Sequence, residues 1–270
     1  MKVWRNGEIV ESAAAIDAHD RGVLLGDGLF ETLAVIERMP LRLARHLSRL
    51  RQGADALAIP LPHGGAGISD AVTALLEAEN VDEGSVRITL LRGPGPRGVL
   101  PPLDVSPTLV ISAFAGKVGM AEPVRMMVAA TTRRNEFSPL SEIKSTNYLD
   151  SIIAVREARA SGADDAVMLN TMGHVAEAAW ANIFCRKGDV LATPPVGDGA
   201  LAGIMRACVM EYETVREKSL VADDLYAADE IFLTSSLSIR PVVEIDGHVI
   251  GNGTAGPVAA RLSDLPRRAR

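Results

Sequence analysis

Apolar and polar positions change rhythm several times along the 270-residue chain. "KVWRNGEIV" sets two short runs around Asn6-Gly7, a pair suited to a two-residue turn, and predicts a hairpin. "LFETLAVIERMPLRL" repeats the arrangement, with two apolar runs meeting around Arg38–Pro40. In "LARHLSRLRQGADALAI" the spacing lengthens: Leu43, Leu47, Leu50 and Leu57 recur as on one face of a helix. "SDAVTALLEAE", Ser69–Glu79, predicts a second helix with Ser69 as its N-cap. "SVRITLLRG" and "PTLVISAFAG" predict strands, parted by the Gly/Pro-rich loop "GPGPRGVLPP".

After the connector "GKVGMAEP" comes a strand at "VRMMVAA" and a helix at "NYLDSIIAVREARASG", closed by Gly162. Three strands follow through "DAVMLNTMGHVAEAAWANIFCRKGDVLATPP". "GIMRACVMEYETV" reads as a helix, "ADEIFLTSS" as a strand and its loop, and "RPVVEIDGHVI" as a strand and turn. "TAGPVAARLSDLPRRAR" predicts a last helix with a basic tail. The expectation is an α+β chain of two lobes: residues 1–115, a connector at 116–122, and a larger lobe at 123–270.

Composition narrows the class. With 47% apolar and 23% charged residues the chain matches a globular protein, not a disordered or fibrous one. A net charge of −6 argues against a general grip on nucleic acid. Cys185 and Cys208 make no disulfide framework and suit a reducing compartment, so the cytoplasm is the expected address. Without CxxC or HExxH spacing no metal site is expected. No signal-peptide core opens the sequence, and no run of about 18 apolar residues predicts a membrane span.

Candidate chemistry centres on "SEIKSTNYLDS". The chain has only five lysines, Lys2, Lys117, Lys144, Lys187 and Lys218, among 28 basic residues. An amine that can lose its proton and attack a carbonyl is something arginine cannot supply. Taken alone, Lys144 also reads as a surface residue. Tyr148 lies one helical turn beyond it. Glu177 is an acid within the apolar "GHVAEAAWANIF", and Arg49 sits among leucines on a helix, where a solvated arginine is the plain reading. "LAGIM" and "TSS" offer backbone N–H groups and hydroxyls to an anion. The set permits a pyridoxal 5'-phosphate (PLP) site: an imine-forming lysine, an acid for the pyridine nitrogen, a phenol for the ring oxygen, and phosphate donors.

From Asn6 to about Val243 the sequence resembles the class IV (fold-type IV) PLP-dependent aminotransferases, which include branched-chain and D-amino acid aminotransferases and 4-amino-4-deoxychorismate lyases. "DRGVLLGDGLFETL", "RHLSRL", "IKSTNYL", "GHVAEAAWANIF", "LATPPVGDGALAGIMR" and "DEIFLTSS" carry the likeness. It implies a two-lobed fold with the cofactor between the lobes, a homodimer, and PLP bound to Lys144 as the Schiff-base lysine of the C-terminal lobe. It also implies Glu177 as the pyridine-nitrogen acid and Tyr148 as the ring-oxygen partner. Phosphate binding falls to Arg49, the backbone of Ile204 and Met205, and Ser235 and Ser236. Met205 stands where threonine is usual, leaving only its N–H.

For the reaction, "RGPGPRG", "SPLSEIK" and the absence of E-I-T-P-V lean toward the lyase, which releases 4-aminobenzoate and pyruvate in the folate pathway. That is the first expectation. The alternative is an aminotransferase for branched-chain L-amino acids or D-amino acids with a 2-oxo acid acceptor; a PLP carrier without turnover is a third. Arg97 and Thr32 are tentative substrate residues. Glu31 either joins them or pairs within the sheet. His19 and Asp20 read as turn and capping residues, Trp180 as a wall or core residue, and both cysteines as small core residues.

Overall fold

The computed structural model describes residues 1–268. The chain divides into two compact units. The first holds Met1–Val118, Ile143–Asn147 and the described end from Arg267; the second holds Gly119–Glu142 and Tyr148–Pro266. The first break falls within the expected connector. The Lys144 segment, expected with the C-terminal lobe, packs with the first unit instead because its backbone joins that sheet. Phe30 N–H donates to the Lys144 carbonyl, Thr146 N–H donates to the Gly28 carbonyl, both at 2.9 Å, and Leu29 bridges Ser145.

In the first unit β1 (Lys2–Arg5) and β2 (Glu8–Glu11) form the expected Asn6-Gly7 hairpin. A short helix α1 (Arg21–Leu25) follows, N-capped by Asp20, whose carboxylate accepts from Gly22 N–H, and closed by Gly26 at φ 67°. Then come β3 (Gly28–Ile36), β4 (Met39–Pro40), α2 (Leu43–Ala56), α3 (Gly64–Ala78), β5 (Glu83–Leu91) and β6 (Thr108–Ala115). The strands lie in the order β2-β1-β6-β5-β3-β4, all neighbours antiparallel. β5 alternates as a half-buried strand should: Val86, Ile88 and Leu90 are buried, while Ser85, Arg87 and Thr89 face the other way. The buried face packs with Leu29, Leu33 and Val35 of β3 against Leu50 and Ala54 of α2 and Ile68, Val72, Leu75 and Leu76 of α3. Truncating one such side chain, Leu33 for instance, costs about 2–5 kcal/mol.

Helix α3 begins at Gly64, not at the predicted cap Ser69. His63 takes the N-cap position at φ 65° with no side-chain cap bond. Ile68, fully buried, starts the stripe that Ala71, Val72, Leu75 and Leu76 continue, so its burial draws the preceding glycine-rich turn into the helix and overrides the capping preference.

The second unit contains β7 (Gly119–Met120), β8 (Val124–Val128), α4 (Leu149–Ala160), β9 (Asp165–Leu169), β10 (Val175–Ala178), β11 (Asn182–Lys187) and β12 (Val190–Thr193). It continues with α5 (Ile204–Tyr212), β13 (Val215–Glu217), α6 (Ala222–Tyr226), β14 (Glu230–Thr234), β15 (Ser238–Ile245), β16 (His248–Val249) and α7 (Pro257–Arg261). Its sheet runs β10-β9-β8-β15-β14-β11-β12-β13, with β7 and β16 also paired to β15. Parallel pairs (β8–β9, β8–β15, β12–β13) mix with antiparallel ones (β9–β10, β11–β14, β14–β15). Phe184 and Phe232 stack at 5.1 Å between ring centroids, within a core that Met205, Cys208 and Val209 of α5 and Val258 and Ala259 of α7 share.

The predicted C-terminal helix is shorter than the pattern suggests. α7 ends at Arg261 and a 3-10 turn covers Leu265–Arg267; positions 269 and 270 of the basic tail lie outside the described residues. Buried Glu230 accepts from the N–H groups of Val258 and Ala259, satisfying the helix start. Cys185 and Cys208 are buried and form no disulfide. Trp180 is 48% exposed and belongs to no core.

Candidate functional site

β3 and β5 present one face to α2 and α3 and the other away from them. On the latter, Phe30 lies opposite Thr89 and Thr32 opposite Arg87 in the strand register. The Lys144 segment adds itself beside Leu29 and Phe30, which brings the Lys144 amine to 4.4 Å from the centre of the Phe30 ring. The Arg87 guanidinium carbon lies 3.7 Å from the same centre. One aromatic ring thus carries a lysine amine and a permanent cation.

Glu31 projects to the opposite face. It is fully buried, and its tentative placing beside the substrate is corrected by what surrounds it. Arg49 of α2 donates from Nε to Oε1 at 2.8 Å and from Nη2 to Oε2 at 2.7 Å, and His46 Nδ1 lies 2.6 Å from Oε2. Residues 46 and 49 share a face because they lie three apart on a helix. Burial opposes charge on Glu31, but the bonds from Arg49 and His46 outweigh it and hold its carboxyl below the ordinary range. Burial keeps His46 below its usual value despite Glu31. An ionised carboxylate only accepts, so with Glu31 held toward its charged form the His46 Nδ1–H is the donor of the 2.6 Å contact.

In the second unit a bulge in β10 places Glu177 opposite Met168 after Val175 has paired with Leu169. Glu177 Oε1 lies 3.3 Å from Arg134 Nε. Its Oε2 accepts from Asn182 Nδ2 at 3.2 Å and from Leu201 N–H at 3.1 Å. Asn182 also donates to the Leu201 carbonyl at 2.8 Å. A Cβ on Gly203 would collide with Asn182 Oδ1, so glycine alone permits this approach. Gly203 is the N-cap of α5 and makes no side-chain cap bond, which leaves the N–H groups of Ile204 and Met205 at an electropositive helix start. The acid and that helix start belong to one hydrogen-bonded piece. Ser235 and Ser236, half-buried, follow β14; Ser235 Oγ lies 3.2 Å from Ser238 Oγ and accepts from Leu237 N–H.

Tyr148, half-buried, is the N-cap residue of α4. Thr32 is half-buried on the Phe30 face, and Arg97 is exposed in the loop after β5. Sequence reasoning missed His46, Phe30, Arg87, Arg134 and Asn182. Phe30 had a usable signal, an aromatic on the face of β3 that Thr32 shares, whereas Arg87 fits the ordinary alternation of β5 and carried none. Nothing local marks Arg134 or Asn182, whose partners lie 43 and 5 positions away in sequence.

Comparison with known proteins bears on these residues. The family profile of amino-transferase class IV matches residues 28–245. The chain belongs to the class IV aminotransferases. A Methanocaldococcus jannaschii protein named "Putative branched-chain-amino-acid aminotransferase" is 34% identical over 98% of this chain and 94% of its own. The Escherichia coli branched-chain amino acid aminotransferase structure superposes with a TM-score of 0.92 at 28% identity, covering 97% of this chain and 92% of that one. A Legionella pneumophila structure named "Putative 4-amino-4-deoxychorismate lyase" gives 0.86 at 32% identity, over 96% and 97%. Class IV aminotransferases are enzymes that use PLP.

The side chains fit that cofactor. In the first unit an amine on an aromatic face suits an aldehyde; in the second a carboxylate buttressed by Asn182 and a backbone N–H suits a pyridine nitrogen, and a helix start made approachable by Gly203 suits a phosphate. Among the described residues no group of metal-ligating side chains gathers and no helix is long and apolar enough to cross a membrane.

Proposed function

We propose that this class IV enzyme is an aminotransferase for apolar α-amino acids of the branched-chain type. One observation carries the reading: Lys144 and Arg87 share the Phe30 ring. A substrate needs its α-carbon beside the amine, its carboxylate beside a cation and its apolar side chain on a hydrophobic surface, and this cluster offers all three. The aminotransferase names of full-length relatives support it.

PLP, when bound, supplies the electron sink for charge developing at the α-carbon. Lys144 would hold the cofactor aldehyde at rest and, once the substrate amine has displaced it, its freed amine would move the α-proton. Glu177, fixed by Asn182 and Leu201 N–H, keeps the pyridine nitrogen protonated. Arg49, the N–H groups of Ile204 and Met205, and Ser235 and Ser236 bind the phosphate, while Tyr148 pairs with the ring oxygen. Arg97 and Thr32 contribute to substrate binding.

A second reading, the 4-amino-4-deoxychorismate lyase expected first from "RGPGPRG", is favoured by the Legionella likeness. The deciding experiment incubates PLP-loaded protein with L-leucine and 2-oxoglutarate, and separately with aminodeoxychorismate. Glutamate formation supports the aminotransferase. Pyruvate and 4-aminobenzoate without glutamate replace it with the lyase, and no product from either substrate refutes both.

A further inference from the structure

Asp27 stands between Gly26 and Gly28, and its carboxylate is shared by two nearly solvent-free arginines. Oδ2 accepts from Arg21 Nε at 3.1 Å and from Arg92 Nε at 2.7 Å, and the arginine side chains are only 4% and 5% exposed. The remaining donors go to backbone carbonyls. Arg21 Nη1 and Nη2 donate to Gly98 and Val99 at 2.8 and 2.7 Å; Arg92 Nη1 and Nη2 donate to Ala58 and Leu57 at 3.1 and 2.7 Å. The loop is also fixed at its start, where Arg21 N–H donates to Gly93 O and Asp20 Oδ1 accepts from Gly93 N–H. Gly93 at φ 93° and Gly98 at φ 126° adopt conformations that other residues rarely take. The loop is held at both ends, yet it leaves Arg97, Val99 and Leu100 exposed.

The residues on either side of Asp27 hold the lysine. Thr146 Oγ1 and Asn147 Nδ2 donate to the Gly26 carbonyl at 2.9 and 3.0 Å. Thr146 N–H donates to the Gly28 carbonyl at 2.9 Å. One three-residue stretch therefore binds the 92–99 loop through its side chain and the Lys144 segment through its backbone. Burial works against charge on Asp27, but the bonds from Arg92 and Arg21 prevail and hold it below the ordinary carboxylate range.

We propose that Asp27, gripped by Arg21 and Arg92, is a positioning residue that ties the 92–99 loop to the Lys144 segment, so that the reacting amine and the Arg97 loop are placed as one body. The consequence for substrate binding rests on the aminotransferase reading above. The coupling itself does not.

The test is hydrogen–deuterium exchange on the full-length, PLP-loaded protein, with steady-state kinetics beside it. Asp27→Asn should speed exchange about tenfold in both the 93–100 and the 143–147 segments, and Arg21→Lys should loosen the loop most and the 143–147 segment to a smaller extent. Thr146→Val, made on the lysine side, should speed exchange in the loop by about threefold. Strands β9 and β11 serve as the reference for global loosening and should stay unchanged. If Thr146→Val leaves the loop untouched, or Asp27→Asn loosens one segment only, the coupling is refuted. Should Asp27→Asn fail to fold, the other two variants carry the same comparison. In kinetics Arg21→Lys should raise KM for the amino acid about tenfold with kcat within about threefold; a fall in kcat at constant KM overturns the positioning role. A wild type inactive on amino acids sinks the aminotransferase reading, while exchange still decides the coupling.

Discussion

Arg49 meets Glu31 through two parallel hydrogen bonds, Nε to Oε1 and Nη2 to Oε2, inside the layer between β3 and α2. The pairing fixes the plane of the guanidinium that is proposed to bind phosphate. Glu31→Gln removes the charge that balances a nearly buried arginine. We expect a stability loss of roughly 3–5 kcal/mol, read from denaturant unfolding, and PLP affinity lower by about tenfold in a fluorescence titration. Unchanged affinity in a folded variant would separate Glu31 from the cofactor.

Acid should weaken the same cluster in two stages. The folded-state value of His46 is depressed below 6.5, so as pH falls the unfolded chain takes up that proton first and stability declines from about pH 6.5 downward. Glu31 is depressed below 4.5; its contribution is full above that pH and is lost as pH falls toward the lower folded-state value. Each group contributes at most about 1.4 kcal/mol per pH unit. His46→Gln should remove the higher-pH stage from a series of unfolding curves between pH 7 and 4, and a variant with the wild-type profile would contradict the assignment.

Asp165 works in the opposite direction. It is fully buried; Oδ1 accepts from Ala166 N–H while Oδ2 has no hydrogen-bond partner. Burial raises it to about 6 against the pull of the Ala166 bond, Arg240 and Arg159. A raised value means stability is full below the unfolded value of 3.8 and is lost as pH rises through about 6. Asp165→Asn should therefore gain roughly 1–3 kcal/mol at pH 8 and little at pH 4, measured as the difference in melting temperature at the two pH values.

Lys144→Ala should abolish both turnover and covalent retention of PLP. Borohydride reduction of the loaded wild type should leave a mass increment on the peptide containing Lys144, and none on the variant. An increment on Lys117 or Lys218 instead would move the reactive amine elsewhere.

Glu177→Gln should keep the bonds its oxygen accepts from Asn182 and Leu201 N–H, but lose the Arg134 ion pair and the charge proposed to hold the pyridine nitrogen protonated. We expect turnover to fall by about 10²–10⁴-fold with PLP still bound. Turnover within a few-fold of wild type would remove Glu177 from the chemistry.

Much of this was legible before any coordinates. The 2-residue and 3.6-residue rhythms located β3, β5, α2 and α4, and Asn6-Gly7 located the first hairpin. Ser69 misled because a capping preference of about 1 kcal/mol is smaller than the burial of Ile68 one turn into α3. The short β7 in the connector was invisible, since two residues carry no period and exist as a strand only through pairing with β15. Lys144 could be picked out by residue type, but its attachment beside β3 could not, because backbone bonds between residues 30 and 144 leave no trace in local pattern. Glu31 was undecided until the strand register set it opposite Ile88 and turned it away from Thr32.

The bulge in β10 has a consequence for how this enzyme can vary. Val175 faces Leu169 and Glu177 faces Met168, two steps on one strand against one on the other. A strand alternates its side chains, so the extra residue decides which way everything after it points. Ala176 is fully buried, which leaves little room for a larger side chain, and it cannot be removed either. Deleting it would leave every polar group of the site encoded and turn the acid toward the wrong side of the sheet. At this point in the chain, the direction in which the acid points is spelled in the count of residues.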